Sequence, residues 1–497
     1  MKTTTAGVVS TLAAVAAAKD SRTFAVLRFN SEGFLTEGRM DPIVNPGAEA
    51  THYHGIMGGS NFDLTVEGDY LLDSNCTTAK IANDFSNYWV PALFFQDPKD
   101  ENKFTKVPLF YMNVYYFFDA TNDEIKAFPA GLKMLVGDAD NRSPPKTGGL
   151  NLFPNRGEVQ PVQFTCTRTS YNPSSYPADS DGSTAGIQDP DREDAGAGFP
   201  LYPCDGYASP LRMDIHFPSC YNPEVGLNDY KNNMAWPEAV AGGKQDCPEG
   251  YIHVPHIFYE VYWNTDLFDG QWTPDGKSQP FVLSNGDATG YSAHADFIAG
   301  WDEHTLQTII DTCDAGSIGM DTCPEIPGGL NTNNNCKIAP MITEPEMSIV
   351  SNSKSDVSLS KLPGNNPVTG WGKGGVTGGR VSHSKSSPSS TVKSASSSYP
   401  VASSESPSET VEYASEPTAS EFAVKDVVDN VVNANPVVNE AVDSPAVDSD
   451  DDEVVTIWDV VTVTATTIDY VAPTPAPARR NVHAHGHMRH HARYGHN

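Results

Sequence analysis

The sequence is poor in positive charge and, beyond its first 18 residues, contains no long apolar run. Its 32 Lys and Arg residues stand against 63 Asp and Glu residues, which gives a formal net charge of −31 and a pI near 4.6. Such a surface repels phosphate backbones, so the chain is not expected to bind nucleic acid. Because a helix needs about 20 apolar residues to cross a bilayer, no membrane span is expected either.

Several catalytic signatures are also missing. The sequence has no Gly-x-Ser-x-Gly elbow, no His-Glu-x-x-His helix and no Cys-x-x-Cys pair. Gly55, Gly58 and Gly59 lack the spacing of a dinucleotide fingerprint and the Gly-Lys-Ser/Thr ending of a phosphate loop, so tight turning is the simpler explanation for them. These absences argue against ordinary esterase and metalloprotease activity.

The chain begins with the pattern of a secretory signal. Residues 1–18 have a basic start, an uncharged Ala/Val run and an Ala-x-Ala exit. We therefore expect the mature protein to begin near Lys19 and to be secreted, extracellular or attached to a cell wall. Two glycosylation sequons, at Asn75 and Asn141, agree with export.

Eight cysteines, all between Cys76 and Cys336, fit an oxidising compartment and predict disulfide bonds. The spacing alone leaves the pairing open. Cys204 with Cys220, and Cys313 with Cys323, are close enough in sequence to form local pairs. A metal-thiolate site is a poorer explanation of these cysteines.

Composition changes sharply near residue 340. Residues 19–340 are rich in Trp, Tyr, Phe and Cys, which predicts one folded domain. Residues 341–453 are dominated by Ser, Thr, Pro, Lys and Val and bury too little apolar surface to fold, so we predict a disordered, O-glycosylated stalk. A strand-prone Val/Thr patch at 454–472 and a Pro/His-rich tail at 473–497 follow.

Within the folded domain, short aromatic and β-branched runs outnumber helical patterns. Residues 104–118 and His256–Trp263 predict buried strands. Apolar residues at near-helical spacing predict one helix over residues 295–311. We therefore predict a mainly β, sandwich-like domain with a few helices and long, disulfide-stapled loops, followed by a disordered C-terminal region.

Six histidines crowd the C-terminal tail. A flexible group of imidazoles binds copper, nickel or zinc when the rings are neutral, so a divalent metal at this tail is one hypothesis. The candidate ligands are His483, His485, His487, His490 and His491. The dibasic pair Arg479-Arg480 directly before them suggests that processing removes the tail.

His52 and His54 precede the glycine-rich turn and lie two residues apart. On an extended segment they share one face, which is compatible with one site. Hydrogen bonds to loop backbone are an equally good explanation for both rings.

Three further groups place a carboxylate beside a histidine. They are Asp214 with His216; His253 and His256 with Glu260; and Asp287 with His294 and Asp296. If these loops converge, they provide paired carboxylates for acid–base work or a His/Asp metal shell. Packing is the alternative for the first two groups. In the third, Asp287 could only shape its turn, and Asp296 could cap the predicted helix.

Seven blocks of the sequence occur in the order found in a known family. They read Asp41-Pro42-Ile43-Val44-x-Pro46-Gly47; His52-x-His54 with Gly58-Gly59-Ser60-Asn61-Phe62; Ser86-Asn87-Tyr88-Trp89-x-Pro91; Lys126-Ala127-Phe128-Pro129-x-Gly131-x-x-Met134-Leu135-x-Gly137; Phe217-Pro218-Ser219-Cys220; Phe258-Tyr259-Glu260-Val261-Tyr262-Trp263; and Ser284-Asn285-Gly286-Asp287-x-Thr289-Gly290-Tyr291-x-x-His294-x-Asp296-Phe297. Together they resemble DUF1996, a secreted fungal domain of unknown function, over residues 24 to 315.

The resemblance implies an exported protein of a kind often joined to Ser/Thr-rich stalks or wall-associated carbohydrate-binding modules. It therefore points to polysaccharide or the cell wall. It also implies site positions around one cleft, at His52, His54, His294 and Asp296, with Asp41 and Asp287 as companions.

The chain departs from the family pattern at two places. Members usually carry a histidine in the segment where this chain has Asn233, and often another where it has Tyr251. If those histidines complete the family's site, this chain has lost activity and retains only binding.

Residues and resemblance together favour a secreted, polysaccharide-associated protein that is a carbohydrate-active hydrolase. The predicted catalytic residues are His52, His54, Asp287, His294 and Asp296, with an aspartate as acid or nucleophile and a histidine orienting substrate or metal. One alternative is a non-catalytic wall or glycan-binding protein, whose surface Trp and Tyr stack on sugars. Another is metal capture by the histidine tail.

Overall fold

The computed structural model describes residues 19–30, 33–206, 210–342, 344 and 358–371. The predicted signal peptide, most of the predicted stalk, the Val/Thr patch and the histidine tail with its five candidate metal ligands lie outside these residues.

The described residues form many short strands and one α-helix. The strands are β1 (Thr23–Leu27), β2 (Thr36–Gly38), β3 (His54–Gly58), β4 (Asn87–Pro91), β5 (Leu93–Gln96), β6 (Phe104–Lys106), β7 (Leu109–Phe118), β8 (Lys133–Val136), β9 (Val162–Thr165), β10 (Ile187–Asp189), β11 (Arg192–Ala197), β12 (Arg212–His216), β13 (Cys220–Tyr221), β14 (Met234–Ala235), β15 (Glu238–Ala239), β16 (Gln245–Asp246), β17 (Ile252–His253), β18 (His256–Trp263), β19 (Phe281–Leu283), β20 (Ala295–Ile298) and β21 (Ser358–Leu359). The helix is α1 (Glu303–Thr312), and short 3₁₀ turns lie at Tyr70–Asp73, Pro154–Arg156, Ala241–Gly243, Thr265–Phe268, Met320–Thr322 and Pro363–Asn365.

Two large antiparallel sheets contain most of the strands. The first has seven strands in the order β1-β7-β18-β12-β9-β11-β10, and the second has five in the order β2-β3-β4-β20-β8. Smaller sheets have the orders β19-β5-β6-β21, β14-β13-β17 and β15-β16.

The two large sheets pack face to face, which confirms the predicted mainly β, sandwich-like domain. The hydroxyls of Tyr88 in the five-stranded sheet and Tyr116 in the seven-stranded sheet form a hydrogen bond of 2.7 Å. The Tyr259 hydroxyl donates to the carbonyl oxygen of Asp296 at 2.9 Å. These tyrosine hydroxyls bridge the sheets within one continuous apolar core.

The opposite face of the five-stranded sheet carries the candidate site. Side chains alternate along a strand, so Ile56, Trp89 and Ile298 point away from the sandwich core. Two loops cover this face, residues 39–53 and 59–73, and we call them the cover loops. Met40 and Phe62 from these loops pack with the three sheet residues in a second, smaller core.

The prediction of a helix over residues 295–311 is wrong in its first part. Residues Ala295–Ile298 form β20, in which Phe297 faces the sandwich core and Asp296 faces the cover loops. The helix begins only at Glu303, and Asp302 caps it by accepting the Thr305 amide hydrogen at 2.8 Å. The suggested capping role of Asp296 is therefore wrong as well.

The strand predicted over residues 104–118 is two strands in different sheets. It breaks at Val107 and Pro108, so that β6 pairs with β5 while β7 pairs with β1 and β18. Proline lacks the amide hydrogen that a continuous ladder needs at that point. The strand predicted over His256–Trp263 is confirmed as β18.

All eight cysteines form disulfides, as predicted. The pairing of Cys313 with Cys323 is confirmed. The pairing of Cys204 with Cys220 is wrong, because the fold brings a different partner to each. The other three bonds are Cys76–Cys336, Cys166–Cys204 and Cys220–Cys247.

Residues 358–371 lie within the predicted stalk but pack on the domain. Their first residues form β21 against β6, and Thr369 bridges to Asp287. Leu359 and Leu362 are buried in a small apolar cluster. The few apolar residues of this segment are thus enough to hold it against the domain.

Candidate functional site

Three histidines meet at the edge of the sheet face that the cover loops overlie. His54 opens β3 opposite Pro91, and Asp296 lies opposite Trp89 in the next strand pair. Continuing that antiparallel register by two residues brings His294 to the level of His54. His52 enters from the end of a cover loop.

The three rings converge through their Nε2 atoms. The distance from His294 Nε2 is 2.9 Å to His52 Nε2 and 3.4 Å to His54 Nε2. One ring nitrogen from each histidine lies within 4.8 Å of the others. All three side chains are buried, with at most 4% of each residue exposed. The sequence prediction that these histidines share one site agrees with this placement.

Backbone carbonyls determine which nitrogen of two rings carries the hydrogen. His54 Nδ1 lies 3.1 Å from the carbonyl oxygen of Met40, and His294 Nδ1 lies 2.8 Å from that of Ser292. A carbonyl oxygen only accepts hydrogen bonds, so both Nδ1 atoms are donors. In the neutral ring, each Nε2 then carries a lone pair directed into the cluster.

Burial also keeps these two rings neutral. Desolvation lowers the pKa of His294 to about 4, and desolvation together with the nearby His294 lowers the pKa of His54 well below its usual range. Neutral imidazole is the form that binds metals and accepts protons.

Asp41 shapes the cover loop that holds His54. Its Oδ1 accepts the amide hydrogens of Ile43 and Val44, each at 3.0 Å, directly after the Met40 carbonyl that binds His54. Burial raises the pKa of Asp41 to about 6, although the two backbone hydrogen bonds oppose that shift. Asp41 therefore acts on His54 through the loop backbone.

Asp287 plays a similar part for His294. Its carboxylate accepts hydrogen bonds from the amide and hydroxyl of Thr289 and from the amide and hydroxyl of Ser292, at 2.6 to 2.9 Å. It is fully buried, and Arg142 Nε lies 3.7 Å from Oδ1. Its oxygens are engaged within its own loop, which favours the turn-shaping alternative, and we assign Asp287 a positioning role.

Asp296 is the buried carboxyl group that lacks such partners. Neither of its oxygens has a hydrogen-bond partner among the described residues, and the same is true of Nε1 of Trp89, its cross-strand neighbour. Burial, and then the nearby Asp41, raise the pKa of Asp296 well above its usual range. A buried polar group without partners is costly, which makes Asp296 the leading candidate for a chemical role on this sheet face.

Tyr230 is a site neighbour that the sequence analysis missed. Burial, and then the charges of Asp41 and Asp296, raise the pKa of its phenol, which places it within electrostatic reach of both carboxyls. It packs against the small core beneath the cover loops. No motif surrounds it, so no sequence signal could have identified it.

The other predicted carboxylate–histidine groups stay away from this cluster. Asp214 and Glu260 both pair with the buried guanidinium of Arg212, with N···O distances of 2.6 and 3.1 Å. His216 Nδ1 lies 3.0 Å from His256 Nε2 on the seven-stranded sheet. Packing, the alternative left open for these residues, fits their positions.

A second group of potential metal ligands consists of Asp123, Cys247 and His253. Cys247 is bonded to Cys220, so its sulfur is no thiolate ligand. His253 Nδ1 lies 3.3 Å from Asp123 Oδ2 as a structural contact.

At the two positions that depart from the family pattern, the residues of this chain form hydrogen bonds with backbone carbonyl oxygens. Asn233 is buried, and its Nδ2 donates to the carbonyl oxygens of Lys133 and Leu227. The Tyr251 amide donates to the Pro248 carbonyl oxygen in a turn. The histidine cluster forms from His52, His54 and His294 without a histidine at either position.

Comparison with known proteins identifies one family. A family profile described as "Domain of unknown function (DUF1996)" matches residues 41–301, which include the three histidines, Asp41, Asp287 and Asp296. No curated protein and no solved structure matches the chain. Among the described residues, no helix has the length and apolar character that a membrane crossing requires.

Proposed function

The chain belongs to the DUF1996 family, and from the site built by its matched residues we propose that it is a secreted hydrolase of extracellular or cell-wall polysaccharide. The observation that carries this proposal is the buried, unpaired carboxyl of Asp296 on the sheet face where three imidazoles converge. Hydrolysis of a glycosidic bond needs a proton donor for the leaving group and a base or nucleophile opposite it. Asp296 donates the proton to the leaving group, and the imidazoles activate the attacking water.

Export rests on three independent features. The N-terminal pattern is that of a secretory signal, all eight cysteines form disulfides, and the surface charge is strongly acidic. The polysaccharide substrate rests on the stalk-like Ser/Thr composition after the domain and on the resemblance to a wall-associated family. A fungal source, glycosylation and cell-wall attachment belong to the same proposal.

A non-catalytic glycan-binding function is the second candidate. A surface pocket beside Cys204 is lined by Tyr202, Trp272 and Asp269. Half-exposed aromatic rings next to a carboxylate are the usual means of stacking and hydrogen bonding a sugar. This pocket would bind a glycan without the histidine cluster.

The two candidates are separated by one experiment on the secreted full chain. Product release from a panel of wall polysaccharides is measured beside retention on a glycan array, for wild type, Asp296→Asn and His54→Gln. Asp275→Asn is the control, because Asp275 is exposed and its carboxylate accepts hydrogen bonds only within its own turn. We expect product from wild type and control, and retention without product from the two site variants. Retention without product from the wild type would replace the hydrolase with the glycan-binding protein.

A further inference from the structure

We propose that His52, His54 and His294 hold one divalent transition-metal ion, with zinc as the best fit. This site is distinct from the metal site suggested by the histidine tail. The inference rests on the geometry of the three rings and holds whether or not the chain is a hydrolase.

The hydrogen bonds of two rings create an arrangement that suits a cation. His54 and His294 each donate Nδ1–H to a backbone carbonyl, so their Nε2 lone pairs face each other across 3.4 Å. Two acceptors that face each other in a buried place repel. A hydrogen donated by His52 Nε2, 2.9 Å from His294 Nε2, would satisfy only one of these two lone pairs. One metal ion between the rings converts both lone pairs into ligands.

The distances suit one ion. A tetrahedral zinc with Zn–N bonds of about 2.0 to 2.1 Å places its ligand nitrogens about 3.3 Å apart. The observed Nε2 separations from His294 are 2.9 Å to His52 and 3.4 Å to His54. Both separations are close to that value, and the ligand nitrogens of all three rings lie within 4.8 Å of one another, so modest movements of the rings complete the coordination.

The rings are also held as metal ligands usually are. Metal-binding histidines donate their second nitrogen to a carbonyl or carboxylate, which fixes tautomer and ring orientation. Met40 and Ser292 provide these carbonyls, and Thr51 Oγ1 lies 3.0 Å from Nδ1 of His52. The loops that carry Met40 and Ser292 are in turn shaped by two buried aspartates.

The ligand chemistry selects the kind of metal. Three neutral imidazoles suit zinc or copper, whereas calcium and magnesium require oxygen ligands. Thiolates are excluded because every cysteine is in a disulfide. Three protein ligands leave a fourth position for water, and zinc lowers the pKa of such a water to about 7. If the chain is a hydrolase, that water is the attacking group.

The site lies just beneath the surface, where a metal and its water can arrive. Gly137 is exposed, and a Cβ atom at this position would lie 2.7 Å from the Cβ of His294. Thr51, next to His52, is exposed as well.

The test must first remove the tail histidines, because their imidazoles would compete for the metal. The full chain with all six tail histidines changed to Gln is loaded with zinc, desalted and analysed for metal content and thermal unfolding. The same chain is loaded with Cu²⁺ for electron paramagnetic resonance. We expect one zinc per chain, a higher Tm with zinc, and coupling of copper to three nitrogens.

Three variants in this background decide the assignment. His52→Gln and His54→Gln should each weaken zinc binding by tenfold or more and remove one nitrogen coupling, as expected for loss of a ligand. His304→Gln, an exposed helix position, should change neither. His52→Gln keeps the test decisive if the fully buried His54 variant fails to fold. Absence of bound zinc in the folded, tail-substituted chain would overturn the proposal, as would unchanged copper spectra in His52→Gln.

Discussion

Asp287 accepts two hydrogen bonds from Ser292, the residue whose carbonyl oxygen binds Nδ1 of His294. A carboxylate that sequence alone suggests as an acid or nucleophile thus reaches the histidine cluster through one intervening residue. Its influence is on the orientation of the His294 ring.

Substitution of Asp287 by Asn should therefore disturb both stability and the cluster. The amide side chain has one acceptor oxygen in place of two, so buried donors from Thr289 and Ser292 lose their partners. We expect a loss of about 2 to 4 kcal/mol of unfolding free energy and zinc binding weakened by about tenfold. Denaturant unfolding and zinc titration of the tail-substituted chain measure these effects.

The matched control for that variant is Asp275→Asn. Asp275 also accepts two backbone amide hydrogens in a turn, but it is exposed. Its unfolding free energy should change by less than about 0.5 kcal/mol. Equal effects at both positions would remove the special role of Asp287.

Gly137 should tolerate no side chain, because it packs against the backbone of His294. A Cβ atom there would lie 2.4 Å from the Ala293 carbonyl oxygen, and the backbone φ is +91°. Gly137→Ala should destabilise the fold by about 2 kcal/mol or more and weaken zinc binding.

Gly250→Ala separates steric displacement from backbone strain. Gly250 has a similar φ of +85°, but a Cβ atom there meets nothing within 4 Å. Gly250→Ala should therefore lose about 1 kcal/mol of unfolding free energy from backbone strain alone, and its zinc binding should not change. A loss of zinc binding in both variants would contradict the proposed contact between Gly137 and His294.

The buried carboxyl of Asp84 should make stability fall as pH rises from 4 to 7. Burial raises its pKa to about 7, while hydrogen bonds from Tyr88 and Ser86 oppose the shift. The folded state therefore holds a proton that the unfolded chain releases near pH 4, and this stabilising contribution is lost as pH approaches 7.

Asp84→Asn should remove that contribution to the pH dependence, since an amide does not titrate. The unfolding free energy of the variant minus that of wild type should rise by on the order of 2 to 4 kcal/mol as the pH is raised from 4 to 7.5. Urea unfolding at several pH values provides the measurement, with Asn at the exposed Asp69 as control. Parallel curves for wild type and Asp84→Asn would show that Asp84 is ionised in the fold.

The disulfide Cys76–Cys336 should contribute more stability than Cys313–Cys323. The first joins residues 260 apart and the second joins residues 10 apart. Loop-closure entropy assigns about 5.6 kcal/mol to the long loop and about 2.7 kcal/mol to the short one. Paired Cys→Ser variants, compared by thermal unfolding, should therefore show the larger loss of Tm for Cys76 and Cys336. The reverse order would show that the unfolded chain is already restrained across the long loop.

The sequence predicts best where a local pattern survives into the structure. The aromatic alternation of β18 is local, and its prediction is confirmed. His52 and His54 do lie together, with ring centroids 4.3 Å apart, but only His54 is in a strand, and His52 lies in the bend before it. The grouping of these histidines with His294 came from the family resemblance, because a contact across 240 residues leaves no local trace.

Prediction fails where long-range packing overrides a local pattern. β20 has four residues and a composition that continues into a helix, but β4 and β8 enclose it on both sides. Cys204 pairs with Cys166 rather than Cys220 for a similar reason, since the tertiary fold and not the sequence spacing sets the distance between sulfurs. Tyr230 enters the site from a loop and carries no signal at all.

The position of β20 also governs how the newly made chain reaches its native state. Both neighbours of β20, β4 and β8, leave the ribosome long before it does. Until residues 295–298 insert, each neighbour presents an open hydrogen-bonding edge, the feature through which nascent chains pair wrongly. The five-stranded sheet therefore cannot close until synthesis has passed residue 298, and these two edges stay open until then.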